Sequence, residues 1–304
     1  MKMKKKTVYI TGATGRLGQA VLKRTNAVPL VRKPSGLKGE VSTDFSREQL
    51  KKILNDATAI FHLAGSVDTL DEKKMQEANV ELTKKIVEST PKECKIIFAG
   101  SISVYGKKLA QIPANENTET NPDSPYANSK HAAEDIVSGH PNHIILRIGP
   151  LYGPQFEDYQ RVLSLIEKGK MRLIGRGNNR IPFVHVDDVA EVIANCINKG
   201  TGTFVVAGEP LTQEDIFKIA CKELGVQNVS KHVSVRTAVA IATLGEWKYK
   251  LVGKKPTLTK EHIGILAYDR VFDCTKAKKE LGFSSRSLEQ GIIEMMQSYR
   301  QKKK

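Results

Sequence analysis

Four β-branched or aromatic residues, Thr7-Val8-Tyr9-Ile10, run straight into the glycine turn TGATGRLG (residues 11–18) and then into a helical pattern through Leu22. Strand, glycine turn and helix in that order constrain the fold of this 304-residue chain more than any other stretch. Gly12, Gly15 and Gly18 stand at G-x-x-G-x-x-G spacing, a departure from the G-x-G-x-x-G dinucleotide fingerprint. Glycine permits the tight turn and lets backbone N–H groups approach a pyrophosphate at the positive end of the helix. A glycine turn alone is a plain loop as often as not. Its position between a strand and a helix puts nucleotide binding ahead.

The alternation continues down the chain. Ala27 to Val31 reads as a short second strand ending in Arg32-Lys33. An acid at this point would bind the 2′-hydroxyl of NAD, whereas an arginine accommodates the 2′-phosphate of NADP. No acid stands here, so Arg32, with Arg16, leans the choice toward NADP over NAD. Val41 to Phe45 reads as a third strand that brings Asp44 toward an adenine amine, and Ser46 with Gln49 as a capping box. Ala57 to Ala64 is a buried-type strand ending in His62-Leu63-Ala64-Gly65, whose small residues let a cofactor lie on the backbone. His62 itself reads as a packed histidine. An amphipathic helix from about Asp71 to Ser89 carries Asn79, facing either water or the site.

Lys95 to Ser101 is the next central strand, with Ser101 at the C-terminal edge where ligands bind in open α/β sheets. Beyond Pro122 and Pro125 comes Tyr126-Ala127-Asn128-Ser129-Lys130. In a helix, Tyr126 and Lys130 share one face a turn apart. A phenol titrates near pH ~10, and a cation beside it brings it toward the range a general acid/base needs. Alone, that pair is usually an accident of a surface helix. Ser101 and the glycine turn make it more than that. After a strand at His143 to Ile148 the strict alternation ends. A helix (about 158–168), a Gly/Asn-rich loop (175–179) and Phe183 to Val189 follow, with Asp187 read as the N-cap of a helix through Ile197. Thr203 to Ala207 is a strand, and helices over about 212–224, 235–252, 259–266 and 288–299 complete the chain.

The net charge of +15 raises the question of nucleic acid. Lys2, Lys4, Lys5, Lys6, Arg300, Lys302, Lys303 and Lys304 supply eight of those charges from two ends expected to fray. The other cations are interspersed with acids, and no zinc-finger, RNP-type or helix-turn-helix pattern accompanies them. A dedicated nucleic-acid partner is therefore not expected. Cys94, Cys196, Cys221 and Cys274 are scattered, which argues against a disulfide framework or a metal site. There is no apolar run of ~18 residues, so no membrane span. The basic start leads into a strand with no signal-peptide core, which points to the cytoplasm.

TGATGRLG, FHLAG, FAGSISVYG (98–106), YANSK (126–130), LRIGPLYGP (146–154), FVHVDDVA (183–190) and KAKKELGF (276–283), in that order, resemble the extended short-chain dehydrogenase/reductase family, also called the NAD-dependent epimerase/dehydratase family. The resemblance covers nearly the whole chain and implies an α/β fold. Residues 1–150 would form a Rossmann-like doubly wound parallel sheet, to which the chain returns at about 183–207. Residues 151–304 would supply a smaller, mostly helical substrate lobe. It further implies Tyr126 as general acid/base, and Lys130 on the nicotinamide ribose, lowering the Tyr126 pKa. Ser101 would meet the substrate oxygen. Gly12, Gly15, Arg16 and Leu17 would cradle the pyrophosphate, and Asp44 and Phe45 would meet the adenine. Leu63, Ala64 and Gly65 would line the cleft, Asn79 would face it, and Ser66 and Ser103 fall on the substrate side.

The segment Asn179-Arg180-Ile181-Pro182-Phe183-Val184-His185-Val186 sets Arg180 one residue upstream of the phosphate-reading arginine of nucleotide-sugar enzymes. It resembles more the branch with 3β-hydroxysteroid dehydrogenases and dihydroflavonol reductases. The implied activity is hydride transfer to or from a secondary alcohol or ketone of a small molecule. A nucleotide-sugar 4-epimerase or dehydratase is the rival reading, and a non-enzymatic cofactor sensor the more distant one. Family members often pair as homodimers. Val239, Ile241, Leu244, Trp247 and Leu251 suit an apolar substrate lobe, although ordinary core packing is their expected role.

Overall fold

The computed structural model describes residues 7–252 and 259–302, without the side chains of 250–252. The lysine-rich start, Lys303, Lys304 and the Leu251 side chain lie outside the described residues. Seven parallel strands form the centre: β1 (Thr7–Thr11), β2 (Val28–Val31), β3 (Val41–Ser42), β4 (Ala57–His62), β5 (Lys95–Ser101), β6 (His143–Ile148) and β7 (Gly202–Val206), in the order β7-β6-β5-β4-β1-β2-β3. Order reverses between β1 and β4, so the ligand crevice lies at their carboxyl ends. The registers bring Thr11 opposite His62 and Ser101 opposite Ile148 along that edge.

A sheet covered on both faces has strands that are apolar in runs rather than in alternation. Ile96, Ile97 and Phe98 are all buried, and they divide between two cores. Ile10, Phe61 and Ile97 belong to one core, Tyr9, Ile60 and Phe98 to the other. The covering helices include α1 (Arg16–Leu22), α2 (Arg47–Ile53), α3 (Glu72–Gln76), α4 (Leu82–Ser89) and α5 (Pro125–Ser138). A π-helical turn, Glu77–Glu81, joins α3 and α4. Past β6 come α6 (Glu157–Glu167), α7 (Val186–Asn195), α8 (Gln213–Leu224), α9 (Val235–Val252), α10 (Lys260–Ala267), α11 (Thr275–Leu281) and α12 (Leu288–Gln301). Tyr152, Leu163, Phe217, Leu288 and Met295 form a separate core there. No helix among the described residues is long and apolar enough to cross a membrane.

Several local expectations are corrected. The third strand stops at Ser42, because Phe45 takes φ +57 and turns the chain away. Ser46 caps α2 by accepting from Gln49 N, but the Gln49 side chain accepts from Asp44 N, so the box is not reciprocal. His185, not Asp187, caps α7, its ring accepting from Asp187 N; Asp187 instead pairs with Arg24 at 3.0 Å. The chain end is not frayed at Arg300 or Lys302. α12 runs through Gln301, Arg300 donates to the Glu223 carbonyl, and Lys302 approaches Glu157. The largest correction concerns α9, where Val239, Ile241, Leu244 and Trp247 are exposed and do not pack in a core.

Arg270, just beyond α10, is buried and donates to the carbonyls of Gly106 (2.6 Å) and Ile102 (2.8 Å). Burial lowers its pKa to about 10, opposed by Asp123 and Glu261, so it stays charged near neutrality. It thereby ties the C-terminal portion to the turn that follows Ser101. Arg270→Met would leave both carbonyls unsatisfied and should cost about 3 kcal/mol, read as a lower denaturant midpoint at unchanged m-value.

Candidate active site

Gly12 takes φ +70, and a Cβ there would lie 2.7 Å from Ala64 N and from the Leu63 carbonyl carbon. A Cβ on Gly18 would lie 2.1 Å from Gly12 O. No side chain fits at either point, so the turn after β1 is pressed onto the backbone after β4. Thr11 Oγ1 accepts from Ala64 N at 3.2 Å and lies 2.8 Å from His62 Nδ1, while His62 Nε2 lies 2.9 Å from Thr83 Oγ1. Burial, with Lys130 adding to it, pushes the His62 pKa down to about 3. It is a neutral, packed histidine, as expected.

Asn79 sits in the π-helical turn, a distortion that often marks functional sites. It is buried and does face inward. Its Oδ1 accepts from Ser66 N (2.7 Å), and its Nδ2 donates to Ser66 O (3.0 Å) and Ser129 Oγ (2.9 Å). Ser129 in turn donates to Tyr126 O at 2.8 Å. One amide thus joins the loop after β4 to the first turn of α5. That turn is set by Ser124, whose hydroxyl accepts from Ala127 N, and by Pro125 at the first helical position.

Tyr126 is half-buried and Lys130 buried, one turn apart as the spacing required. Ser101 lies within hydrogen-bonding reach of the phenol. Its hydroxyl also accepts from Ser103 N (3.2 Å) and from Ser103 Oγ (2.9 Å). Burial holds the Tyr126 phenol above its ordinary range; Ser101 works against that and Glu261 with it. The expected lowering of that pKa by Lys130 is not found. The Lys130 ammonium is turned onto Ala99 O (2.5 Å) and the Phe98 ring (4.3 Å). Burial lowers its own pKa to about 8, opposed by Glu134.

Three groups around this pair escaped the sequence reading. Glu134, one turn beyond Lys130, is buried and accepts from Arg147 Nε at 3.0 Å, and its other carboxylate oxygen has no hydrogen-bond partner. Arg147 also donates to Tyr105 Oη at 2.8 Å. The four-residue spacing from Lys130 signals Glu134; nothing local signals that Arg147 comes from β6 to meet it. Glu261 on α10 accepts from Ser124 Oγ at 3.3 Å, an approach with no sequence signal.

The remaining candidates are spread around this centre. Arg32, exposed at the end of β2, lies 5.8 Å over the ring of buried Phe45. Asp44 is exposed, its carboxylate accepting from Ser46 N. Arg16 lies over Phe156 and 3.7 Å from Asp158, with Leu17 against the core beside it. Leu63, Ala64 and Gly65 follow β4 directly, and Gly65 lies against Asn79, whose Oδ1 a Cβ there would meet at 2.8 Å. Arg180 is not free to read a phosphate as placed, because Asp269 takes its Nη2 at 2.9 Å and its backbone N–H at 2.8 Å.

The sequence profile of the NAD dependent epimerase/dehydratase family matches residues 8–208. The chain belongs to this family. Its curated relatives include short-chain dehydrogenase/reductase family 42E member 1 of Xenopus laevis, 25% identical over 334 residues and covering 92% of this chain and 84% of that protein. The 3beta-hydroxysteroid-dehydrogenase/decarboxylase isoform 1 of Arabidopsis thaliana is 26% identical over 321 residues, covering 94% and 70%. These similarities support the 3β-hydroxysteroid dehydrogenase-like branch that the sequence pattern implied. A solved UDP-glucuronic acid 4-epimerase from Bacillus cereus, in complex with UDP-glucuronic acid and NAD, matches with a TM-score of 0.73 at 20% identity, over 97% of this chain and 99% of that one. That likeness is one of fold.

If a dinucleotide is held through a charged Lys130, its affinity should fall as pH rises through about 8. Glu134→Gln removes the charge that opposes burial and should move that fall to lower pH by about one pH unit, measured as dinucleotide dissociation constants across pH.

Proposed function

We propose that this chain is an NAD(P)-dependent oxidoreductase that transfers hydride to or from a secondary alcohol or ketone of a small molecule. The observation that carries this is the meeting of Ser101, Tyr126 and Lys130 at the carboxyl edge of β5. Residues 1–150 would hold the cofactor and 151–304, apart from the return to the sheet, the substrate. The close packing at Gly12 and Gly18 holds the turn tight between β1, α1 and the backbone after β4, and a turn so held would offer its backbone N–H groups to a pyrophosphate at the start of α1.

Gly12, Gly15, Arg16 and Leu17 would hold the pyrophosphate, Arg32 a 2′-phosphate, Asp44 and Phe45 the adenine end, and Leu63 to Gly65 with Asn79 the cleft wall. Lys130 would exchange the Ala99 carbonyl for the ribose hydroxyls. The nicotinamide group supplies the hydride acceptor or donor. Ser101 would hold the substrate oxygen while Tyr126 passes its proton to that oxygen or takes it back. Burial holds the phenol above its ordinary pKa, so Tyr126 carries its proton near neutrality, as the acid role in ketone reduction requires, and would release it only as substrate and cofactor change its surroundings. Ser66 and Ser103 would line the substrate side. Four buried, unpaired cysteines fit a reducing compartment such as the cytoplasm.

Against the nucleotide-sugar reading stands Arg180, whose cation is met by the Asp269 carboxylate. Lys107, near the Ser101 loop, faces Asp123 at 3.9 Å, and Arg270 is spent on carbonyls. A diphosphate would have to displace existing partners to engage any of these three.

Tyr126→Phe should reduce turnover by about 10³-fold while leaving dinucleotide affinity nearly unchanged; full activity in that variant ends the mechanism. Arg32→Ala should weaken NADP binding about tenfold and leave NAD binding close to wild type, since only the 2′-phosphate loses a charge-assisted bond. Equal losses for both dinucleotides would overturn the NADP assignment.

A further inference from the structure

Helix α9 is built inside out. The residues it turns toward the protein are alanines: Ala238 and Ala242 are 1% exposed and pack with Ile174 and Ile263. Its large apolar residues point the other way, with Ile241 55%, Leu244 67% and Trp247 63% exposed. At 100° per residue these three fall on one arc of the outer face, with Ala240 between them and Val239 to one side. Single exposed apolar residues are ordinary, but a contiguous patch of large ones marks an interaction surface. The charges on the helix are as one-sided. Arg236 and Lys248 are exposed, and Lys231 and His232 are exposed just before the helix. The only acid in the α9 sequence, Glu246, is taken up by Lys260, whose N–H it accepts at 2.8 Å and whose ammonium lies 3.2 Å away. In sequence, Lys254 and Lys255 follow.

We propose that this outer face of α9 docks on an anionic lipid surface, with Ile241, Leu244 and Trp247 entering the interface and Arg236 and Lys248 meeting lipid phosphates. Charge selects the occupant. A second copy meeting this face about a two-fold axis would set its cations, which have no acidic partner among the described residues, against themselves, in a chain of net charge +15. An anionic bilayer supplies the missing sign along with an apolar phase. Indole, with an apolar body and a polar N–H, is suited to that boundary. The arrangement is that of a helix lying in the interface plane and not of one crossing it. The proposal is argued from the outward face of α9 and does not rest on the proposed function.

Trp247 is the only tryptophan in the chain, so its emission reports on this face alone. The whole protein is mixed with vesicles of phosphatidylcholine containing phosphatidylglycerol, and separately with pure phosphatidylcholine. Expected are co-sedimentation and a blue shift of Trp247 with the anionic vesicles only, both weakened by added salt. Ile241→Glu with Leu244→Glu keeps the reporter and should lower vesicle binding at least tenfold at an unchanged melting temperature. Arg236→Glu with Lys248→Glu should remove the preference for anionic lipid, and stands in if the first variant melts early. No shift with anionic vesicles, or equal binding to neutral ones, overturns the proposal. So does a shift that grows with protein concentration without lipid and accompanies a dimer in sedimentation, which would make a second copy the occupant.

Discussion

A charge with almost no water around it sets the terms for the catalytic edge. The Lys130 ammonium is held by one carbonyl and one aromatic face, and the buried carboxylate of Glu134, a turn further along α5, acts on it through charge. Desolvation pulls its proton off and Glu134 keeps it on, leaving a lysine poised near pH 8 instead of far above it. A lysine so placed is sensitive to what is brought against it. The arrangement needs Arg147 to keep Glu134 ionised, β6 to deliver Arg147, and the Tyr105 hydroxyl to take one of the remaining guanidinium protons. A large part of the sheet's carboxyl edge therefore serves one ammonium.

The same economy governs the cations around the Ser101 loop and beyond it. Arg270 is spent on the turn after Ser101, Arg180 on Asp269, and Lys107 faces Asp123. Ion pairs of this kind contribute little to stability when exposed. On the proposed function they would bear more on specificity, since an anionic substrate would have to compete for each cation. Glu261, brought against α5 through Ser124, adds negative potential at the phenol. The uncharged carbonyl compound proposed as substrate would meet no such opposition.

Much of the first half was legible in the sequence because its signals are local. The strand–glycine–helix start, the strand at residues 95–101, the neutral His62 and the one-turn pairing of Tyr126 with Lys130 all follow from periodicity and residue type. Where reading failed, a non-local term had won. Gln49 reached back past the cap to Asp44, and His185 took the cap from Asp187, whose carboxylate was drawn to Arg24 on another helix. The expected hold of Lys130 on the tyrosine was lost to a carbonyl on β5 that spacing cannot reveal. In α9 the apolar pattern was seen and its direction misread, because a binary pattern counts alanine and tryptophan alike.

By itself, then, the sequence determined the element types of the Rossmann-like half and the residues that share a helix face, since backbone geometry repeats every few residues. The tertiary structure decided which of those faces meet. Asn79 joins Ser66 to Ser129, Glu134 waits for Arg147, Asp269 claims Arg180, and α9 turns its alanines in and its tryptophan out. Each is an encounter between segments far apart in the chain, fixed by burial and charge pairing that no local window contains.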